Sequence, residues 1–496
     1  MLNRRTLLAT GSAAVALASP FAALAQNRKD AIVLGMTLEP TGLDPTTSAA
    51  VSISEVTLYN IYETLTKINE NGSVTPLLAE SWDVSPDLKT YTFRLRKGVK
   101  FQNGEPFNAQ AVKFSFERAG SEKSTNKDKR TFANIGVQVI DDYTVVLLTK
   151  EIDPDFPFAL GQATAIIVEP KSAETNAAKP VGTGPYKLDA YNKGASLVLG
   201  KWAEYRNPGQ AKIAKVTFRF ISDAAAQAAS LMAGDVDVFP RAGTRIVAQF
   251  KNNPQFQVIL AGSRAKTILA INNAKKPLDD VRVRRAILAA IDRKAIIEGA
   301  ADGFGTPISS HYVPGAAGYV DTTAVNPFDV EKAKKLLADA GVKLPLELTL
   351  TLPPPPYARQ GGEMIVAQLA KIGIVAKVQN VEWAQWLSNT YGGPHNYDLS
   401  IISHVEPFDI GNYAKSDYYW GYQSKAFDTL FDKIKSTGNA AERLKLLGDA
   451  QKMLATDAAN GFMYQPQFPT IAKKGVKGLW KDMPISVNDL SALSWS

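Results

Sequence analysis

Met364-Ile365-Val366-Ala367-Gln368-Leu369-Ala370-Lys371-Ile372-Gly373-Ile374-Val375-Ala376-Lys377-Val378 changes period in mid-course. Met364, Ile365, Leu369 and Ile372 recur at helical spacing, Gly373 suits the left-handed turn that closes a helix, and residues 375–378 read as a strand reached with almost no connection. Upstream, Asp329 is placed to cap a helix whose stripe is Val330, Ala333, Leu336, Leu337 and Ala340, with Gly341 to end it. Tyr91-Thr92-Phe93-Arg94-Leu95-Arg96 and Val216-Thr217-Phe218-Arg219-Phe220 alternate instead, as strands with one buried face do. Helix, glycine and strand in close succession predict an α/β protein of mixed sheets flanked by helices. No internal repeat is present, and Pro353-Pro354-Pro355-Pro356 predicts a stiff segment outside regular structure.

The chain opens differently. Asn3-Arg4-Arg5-Thr6-Leu7-Leu8 leads an uncharged stretch that closes on Ala23-Leu24-Ala25, the pattern of an export signal over residues 1–25. Paired arginines point to the twin-arginine route, and export places residues 26–496 in the periplasm. No later stretch approaches the ~20 apolar residues that cross a bilayer. With 496 residues, two or three lobes are expected rather than one core.

Composition narrows the chemistry. The chain has no cysteine, which excludes disulfides, thiolate metal sites and cysteine nucleophiles. Its three histidines, His311, His395 and His404, fit no familiar ligand spacing, so no metal and no cofactor is expected. The formal charge of +8 falls to +6 without Arg4 and Arg5, and the basic residues are spread, so nothing resembles a nucleic-acid footprint. The nearest cluster, Arg282, Arg284 and Arg285, reads as a solvated helix face, with Asp279 or Asp280 as its N-cap. No Gly-x-Ser-x-Gly elbow occurs, and no serine partner is evident for the histidines, so catalysis is not expected.

More specific motifs follow: Leu78-Ala79-Glu80-Ser81-Trp82, then Tyr91 through Phe101, then Gly104, Phe107, Ala109, Val112 and Phe114. Pro180-Val181-Gly182-Thr183-Gly184-Pro185-Tyr186, Gly234-Asp235-Val236-Asp237 and Pro277-Leu278-Asp279-Asp280-Val281-Arg282-Val283-Arg284-Arg285-Ala286 continue the series. In this order the motifs resemble the family 5 extracytoplasmic solute-binding proteins of ABC importers, the class with dipeptide-, oligopeptide- and nickel-binding members. The resemblance implies a two-lobed periplasmic binding protein of type II, cluster C-like, that closes on its ligand by hinge motion. It implies lobe I from residues 26–57, 170–262 and 467–496, an extra subdomain over 58–169, and lobe II over 263–466. The crossings between lobes are expected near 261–272 and 463–468. It further implies a small-molecule or peptide ligand, membrane permease subunits as partners, no nucleic acid, and a monomer.

Ligand contacts are carried over position by position. In lobe I the resemblance points to residues 43–51, to Arg241, and to Ser263 and Arg264. In lobe II it points to Trp383, matching a tryptophan that packs on ligand in relatives, and to Tyr391, Ser403 and His404; on the residues alone, Trp383 reads as core. Tyr357 and Arg359 follow the proline run, either as plain loop neighbours or at a binding edge. Trp420 and Tyr422 read as packing residues. Peptide binders carry a tryptophan and, three residues on, an aspartate that holds the ligand's ammonium; here those places are His404 and Pro407. Glu406 or Asp409 replaces the carboxylate for an amine-bearing ligand, or His404 and Glu406 bond hydroxyls of a sugar derivative or opine-like conjugate. Positions matched to carboxylate-binding arginines hold Thr390 and Ile401, leaving Arg241, Arg264 and Arg359 as substitutes. Capture for an importer is the leading function, with a sensory adaptor for a membrane receptor as the alternative and a hydrolase a distant third.

Overall fold

The computed structural model describes residues 30–48 and 50–496. The export signal lies outside the described residues. Helix capping follows the local rules: Asp329 accepts from the Lys332 amide at 2.9 Å and starts the helix Val330–Asp339, and Gly341 has φ +70°. Helix Pro356–Ala370 ends before Gly373 at φ +81°, and strand Ile374–Asn380 follows at once. Asp280 caps Val281–Ala289 through the Arg282 amide at 2.8 Å.

Two of these elements correct the sequence reading. Pro356 is the first residue of its helix, where a missing N–H costs nothing, so the proline run ends inside regular structure and Tyr357 and Arg359 ride on the helix's first turn. Arg284 is not on a solvated face. It is buried, and its guanidinium bonds the carbonyls of Leu278, Asp279, Asp457 and Ala458 at 2.8–3.3 Å.

Ten strands lie in one path: Ile374–Asn380, Leu346–Leu352, Leu399–His404, Lys266–Ile271, Gly461–Lys473, Val238–Phe239, Ala31–Met36, Lys215–Phe220, Ser196–Lys201 and Tyr186–Asn192. Parallel pairs (Ala31 with Lys215, Leu346 with Ile374) are combined with antiparallel ones (Lys266 with His404), giving the mixed sheet. The two ends of this path carry separate cores. Ile32, Leu34, Val216 and Phe218 belong to one, and Leu269, Ile287, Leu350 and Ile401 to the other, so the molecule is two-lobed.

One strand serves both lobes. Gly461–Lys473 pairs with Lys266–Ile271 through Tyr464 and with Phe256–Ser263 from Gln467 onward, so it begins in lobe II and ends in lobe I. The other passage runs through Arg264 and Ala265, between Phe256–Ser263 and Lys266–Ile271. A separate antiparallel sheet, ordered Ala79–Val84, Thr90–Leu95, Thr144–Thr149 and Ile135–Asp141, packs Phe93 and Leu95 against Val112 and Phe116 of helix Ala109–Gly120. It hangs on lobe I. There Gly182 and Gly184 run so close to the 60–61 backbone that a Cβ on either would sit 2.0 Å from Ile61 O or 2.3 Å from Asn60 O. No helix among the described residues is long and apolar enough to cross a membrane.

Candidate functional site

Strand Leu399–His404 runs antiparallel to Lys266–Ile271, placing His404 opposite Lys266 at the end nearest the passage between the lobes. The chain then turns through Val405, Glu406, Pro407 and Phe408 into the short helix Asp409–Ala414. This turn brings together residues far apart in sequence. The Lys266 ammonium, 1% exposed, bonds both Asp409 Oδ1 and the Glu406 carbonyl. His311 Nε2 lies 2.7 Å from Asp409 Oδ1. His404 Nδ1 lies 3.2 Å from Asp409 Oδ2 without being aligned for a hydrogen bond, and its Nε2 meets the Tyr419 hydroxyl at 2.9 Å.

Electrostatics fixes the charge states of this cluster. Burial alone would raise the Asp409 carboxyl, but His311 and Lys266 outweigh it and hold the group well below the usual carboxylate range. Burial pushes His311 down to about 4, against the pull of Asp409, so its ring is neutral at pH 7. Glu406 points the other way: it is 66% exposed, with His404 Nδ1 at 3.9 Å.

Beside the cluster stands an aromatic wall. Trp386 is buried and donates from its indole to Ser400 Oγ at 3.0 Å. Trp383 meets it edge-on at 5.8 Å between ring centroids, and Tyr391 stacks on it at 5.9 Å. Trp383 and Tyr391 remain 40% and 41% exposed. A π-helical turn, Leu387–Tyr391, sets the Tyr391 ring on its neighbour. Trp420 and Tyr422 are buried in the lobe II core.

The remaining candidates are held by their own chain. Arg241 pairs with Glu55, Arg264 with Asp482 at 2.9 Å, and Arg359 with Glu382 at 3.4 Å. Ser263 Oγ donates to the Pro466 carbonyl at 3.0 Å, stitching the two passages together. Tyr357 accepts from the Ser403 amide at 3.3 Å, and Ser403 Oγ lies 3.4 Å from Thr267 Oγ1. Asp44, in the 43–51 stretch, is buried against Arg118 and Thr46. The structure therefore gathers His404, Glu406, Asp409 and Ser403 around one turn and sets Trp383 and Tyr391 on one wall. The arginines stand apart, Arg241 and Arg264 paired within the protein and Arg359 exposed beside Glu382.

Sequence reasoning missed Lys266, His311 as a partner of Asp409, Trp386 and Tyr419. Lys266 carried one signal: a lysine opening the apolar run Ile268-Leu269-Ala270-Ile271. His404, Glu406 and Asp409 also offer ligand atoms within 4.8 Å of one another, but the Lys266 ammonium already holds Asp409 Oδ1, which disfavours a cation at that oxygen.

Comparisons with known proteins agree with this architecture. The dipeptide-binding protein of Pseudomonas aeruginosa PAO1 is 30% identical, covering 98% of this chain and 98% of its own. HbpA2 from Haemophilus parasuis superimposes with a TM-score of 0.87 at 24% identity, over 94% of this chain and all of its own. DppA from Helicobacter pylori, an ABC transporter-associated periplasmic binding protein solved with the peptide STSA, gives 0.75 at 27% identity, over 94% of this chain and 98% of its own. Residues 73–407 match the model of the bacterial extracellular solute-binding proteins, family 5, and with two lobes, a shared hinge strand and this breadth of likeness the chain belongs to that family.

Proposed function

We propose that this protein is the periplasmic solute-capturing component of an ABC importer. It takes a small polar solute, of peptide or amine/sugar-conjugate type, between its lobes and delivers it to an inner-membrane permease. The observation that carries the reading is the family match over most of a two-lobed chain whose lobes share one strand. Bending about that strand opens and closes the lobes, and closure removes water from around the solute, which strengthens every polar contact. The protein acts as a monomer without a cofactor and carries out no chemistry on what it holds.

In this reading lobe I comprises 26–57, 170–262 and 467–496, its extra subdomain 58–169, and lobe II 263–466. Separate buried cores support the two lobes, the lobe I core also taking in Leu58, Tyr62 and Ile166 from the 58–169 stretch. Trp383 and Tyr391 offer stacking faces, and His404, Glu406 and Ser403 line the turn beside them. Residues 1–25 direct export by the twin-arginine route.

The test is a thermal-shift screen of the mature protein against dipeptides, oligopeptides, polyamines, sugars, opine-like conjugates and nickel chelates. A solute at 100 times its dissociation constant adds about 2.7 kcal/mol of stability. A saturable shift with one class supports capture, and silence across all six sinks it.

A further inference from the structure

We infer that Lys266 is a built-in cation that satisfies Asp409, so that the solute held beside this turn brings no protonated amine to it. The inference rests on the capture reading and names the class of solute for that same site. Of the two carboxylates in the 404–409 turn, that of Asp409 is the inaccessible one, its side chain 6% exposed against 66% for Glu406. The Lys266 ammonium occupies its Oδ1, and His311 reaches the same oxygen at 2.7 Å. Oδ2 has no aligned donor, with His404 Nδ1 3.2 Å away, and it is sealed from solvent, so it offers no open place to an incoming group.

Charge balance does the rest. One ammonium and one carboxylate cancel inside the protein, while His311 is neutral. A second ammonium placed here would leave a buried positive charge without a partner, and removing such a charge from water is strongly unfavourable. Lys266 also bonds the Glu406 carbonyl, which fixes the turn and directs the Glu406 carboxylate outward. At 66% exposure that carboxylate is solvated, and an exposed ion pair contributes little. Of the three arginines considered for a ligand carboxylate, Arg241 and Arg264 are paired with Glu55 and Asp482, while Arg359 is exposed and only loosely paired with the exposed Glu382. Apart from the solvated Glu406 carboxylate, what this side of the site presents is therefore aromatic faces and neutral hydrogen-bonding groups. Those suit an uncharged segment: an N-acylated or lactam-type conjugate, or a sugar ring stacked on Trp383 or Tyr391.

Calorimetry on the mature protein with dialanine, N-acetyl-dialanine, putrescine and cellobiose tests this, and every amine-bearing hit of the six-class screen is paired with its N-acetylated form. Wild type is expected to bind the N-blocked or amine-free member at least as tightly as the free amine. Lys266→Met, which strips Asp409 of its cation, should move the ratio at least tenfold toward the free amine, and Lys266→Met/Asp409→Asn should restore it. A wild type that prefers free amines tenfold or more, with the preference lost in Asp409→Asn, overturns the inference and leaves capture standing. So does a folded Lys266→Met with an unchanged ratio. If Lys266→Met does not fold, the wild-type ratio and the neutral double variant decide. A wild type that binds nothing in the screen removes capture and this inference together.

Discussion

Phe408 meets Phe158 edge-on, with ring centroids 4.7 Å apart and planes at 86°. Phe408 belongs to the lobe II turn that carries Glu406 and Asp409, and Phe158 to the short helix Phe156–Ala159 beside the separate four-stranded sheet. Arg443, on the lobe II helix Ala440–Thr456, reaches the same corner and pairs with Asp155. Thr244 of lobe I donates to Asp302 of lobe II at 2.7 Å elsewhere along the boundary. The turn that shapes the site is thus itself a point of contact between the lobes.

Replacing Phe408 with alanine removes an aromatic pair that contributes ~1 kcal/mol beyond its buried area. The unliganded protein should then favour more open arrangements, read as a larger radius of gyration in small-angle scattering. An unchanged radius in both Phe408→Ala and Arg443→Ala would mean that these contacts do not set the resting separation.

Gly184→Ala should destabilise the protein by roughly 3 kcal/mol or prevent folding, because overpacking against backbone cannot be relieved by a rotamer change. The added methyl would lie 2.3 Å from Asn60 O. Urea unfolding measures the loss, and a variant within 1 kcal/mol of wild type would falsify the close approach.

Glu63 sits almost fully buried between a bidentate Arg206, at 2.5 and 2.7 Å, and the hydroxyls of Thr183 and Tyr205. Glu63→Ala should cost about 3–5 kcal/mol, since it leaves a guanidinium and two hydroxyls without their acceptor. Glu63→Ala/Arg206→Met should recover a good part of that. Equal losses in the single and double variants, by thermal or urea unfolding, would contradict this account.

His311 makes stability depend on pH in a defined window. Its folded value of about 4 lies below the ordinary histidine value of ~6.5, so between these the unfolded chain takes up a proton that the native chain refuses. Its contribution is complete above pH ~6.5 and is lost as the pH falls toward 4, by at most about 3 kcal/mol. Asp409, held low, adds a loss only below the ordinary carboxyl range. The difference in unfolding free energy between wild type and His311→Gln should therefore shrink from pH 7 to pH 4. A difference that stays constant over that range would show the buried ring is not the titrating group.

Locally encoded features were legible in the chain and distantly encoded ones were not. Asp329, Gly341 and Gly373 act within a few residues of themselves, so capping and termination could be read directly. Lys266 and Asp409 are 143 positions apart and meet only because two strands lie side by side. Arg284 shows the same limit: its helical spacing suggested solvent, but besides Leu278 and Asp279 the carbonyls that fold around it come from the distant residues 457 and 458. For the site, the departure from the tryptophan and aspartate of peptide-binding relatives pointed to the 404–409 segment as unusual. It could not tell that the carboxylate there was already taken, because charge pairing across a fold leaves no periodic trace.

The strand Gly461–Lys473 has a genetic consequence. Because it begins in one lobe and ends in the other, lobe I is split along the chain, and lobe II, though continuous, ends inside that strand. Recombination that trades the middle of this gene for that of a relative would hand the newcomer half of a strand evolved to fit a different neighbour. New specificities in such a chain are therefore expected to arise by point substitution around the 404–409 turn more readily than by shuffling whole lobes.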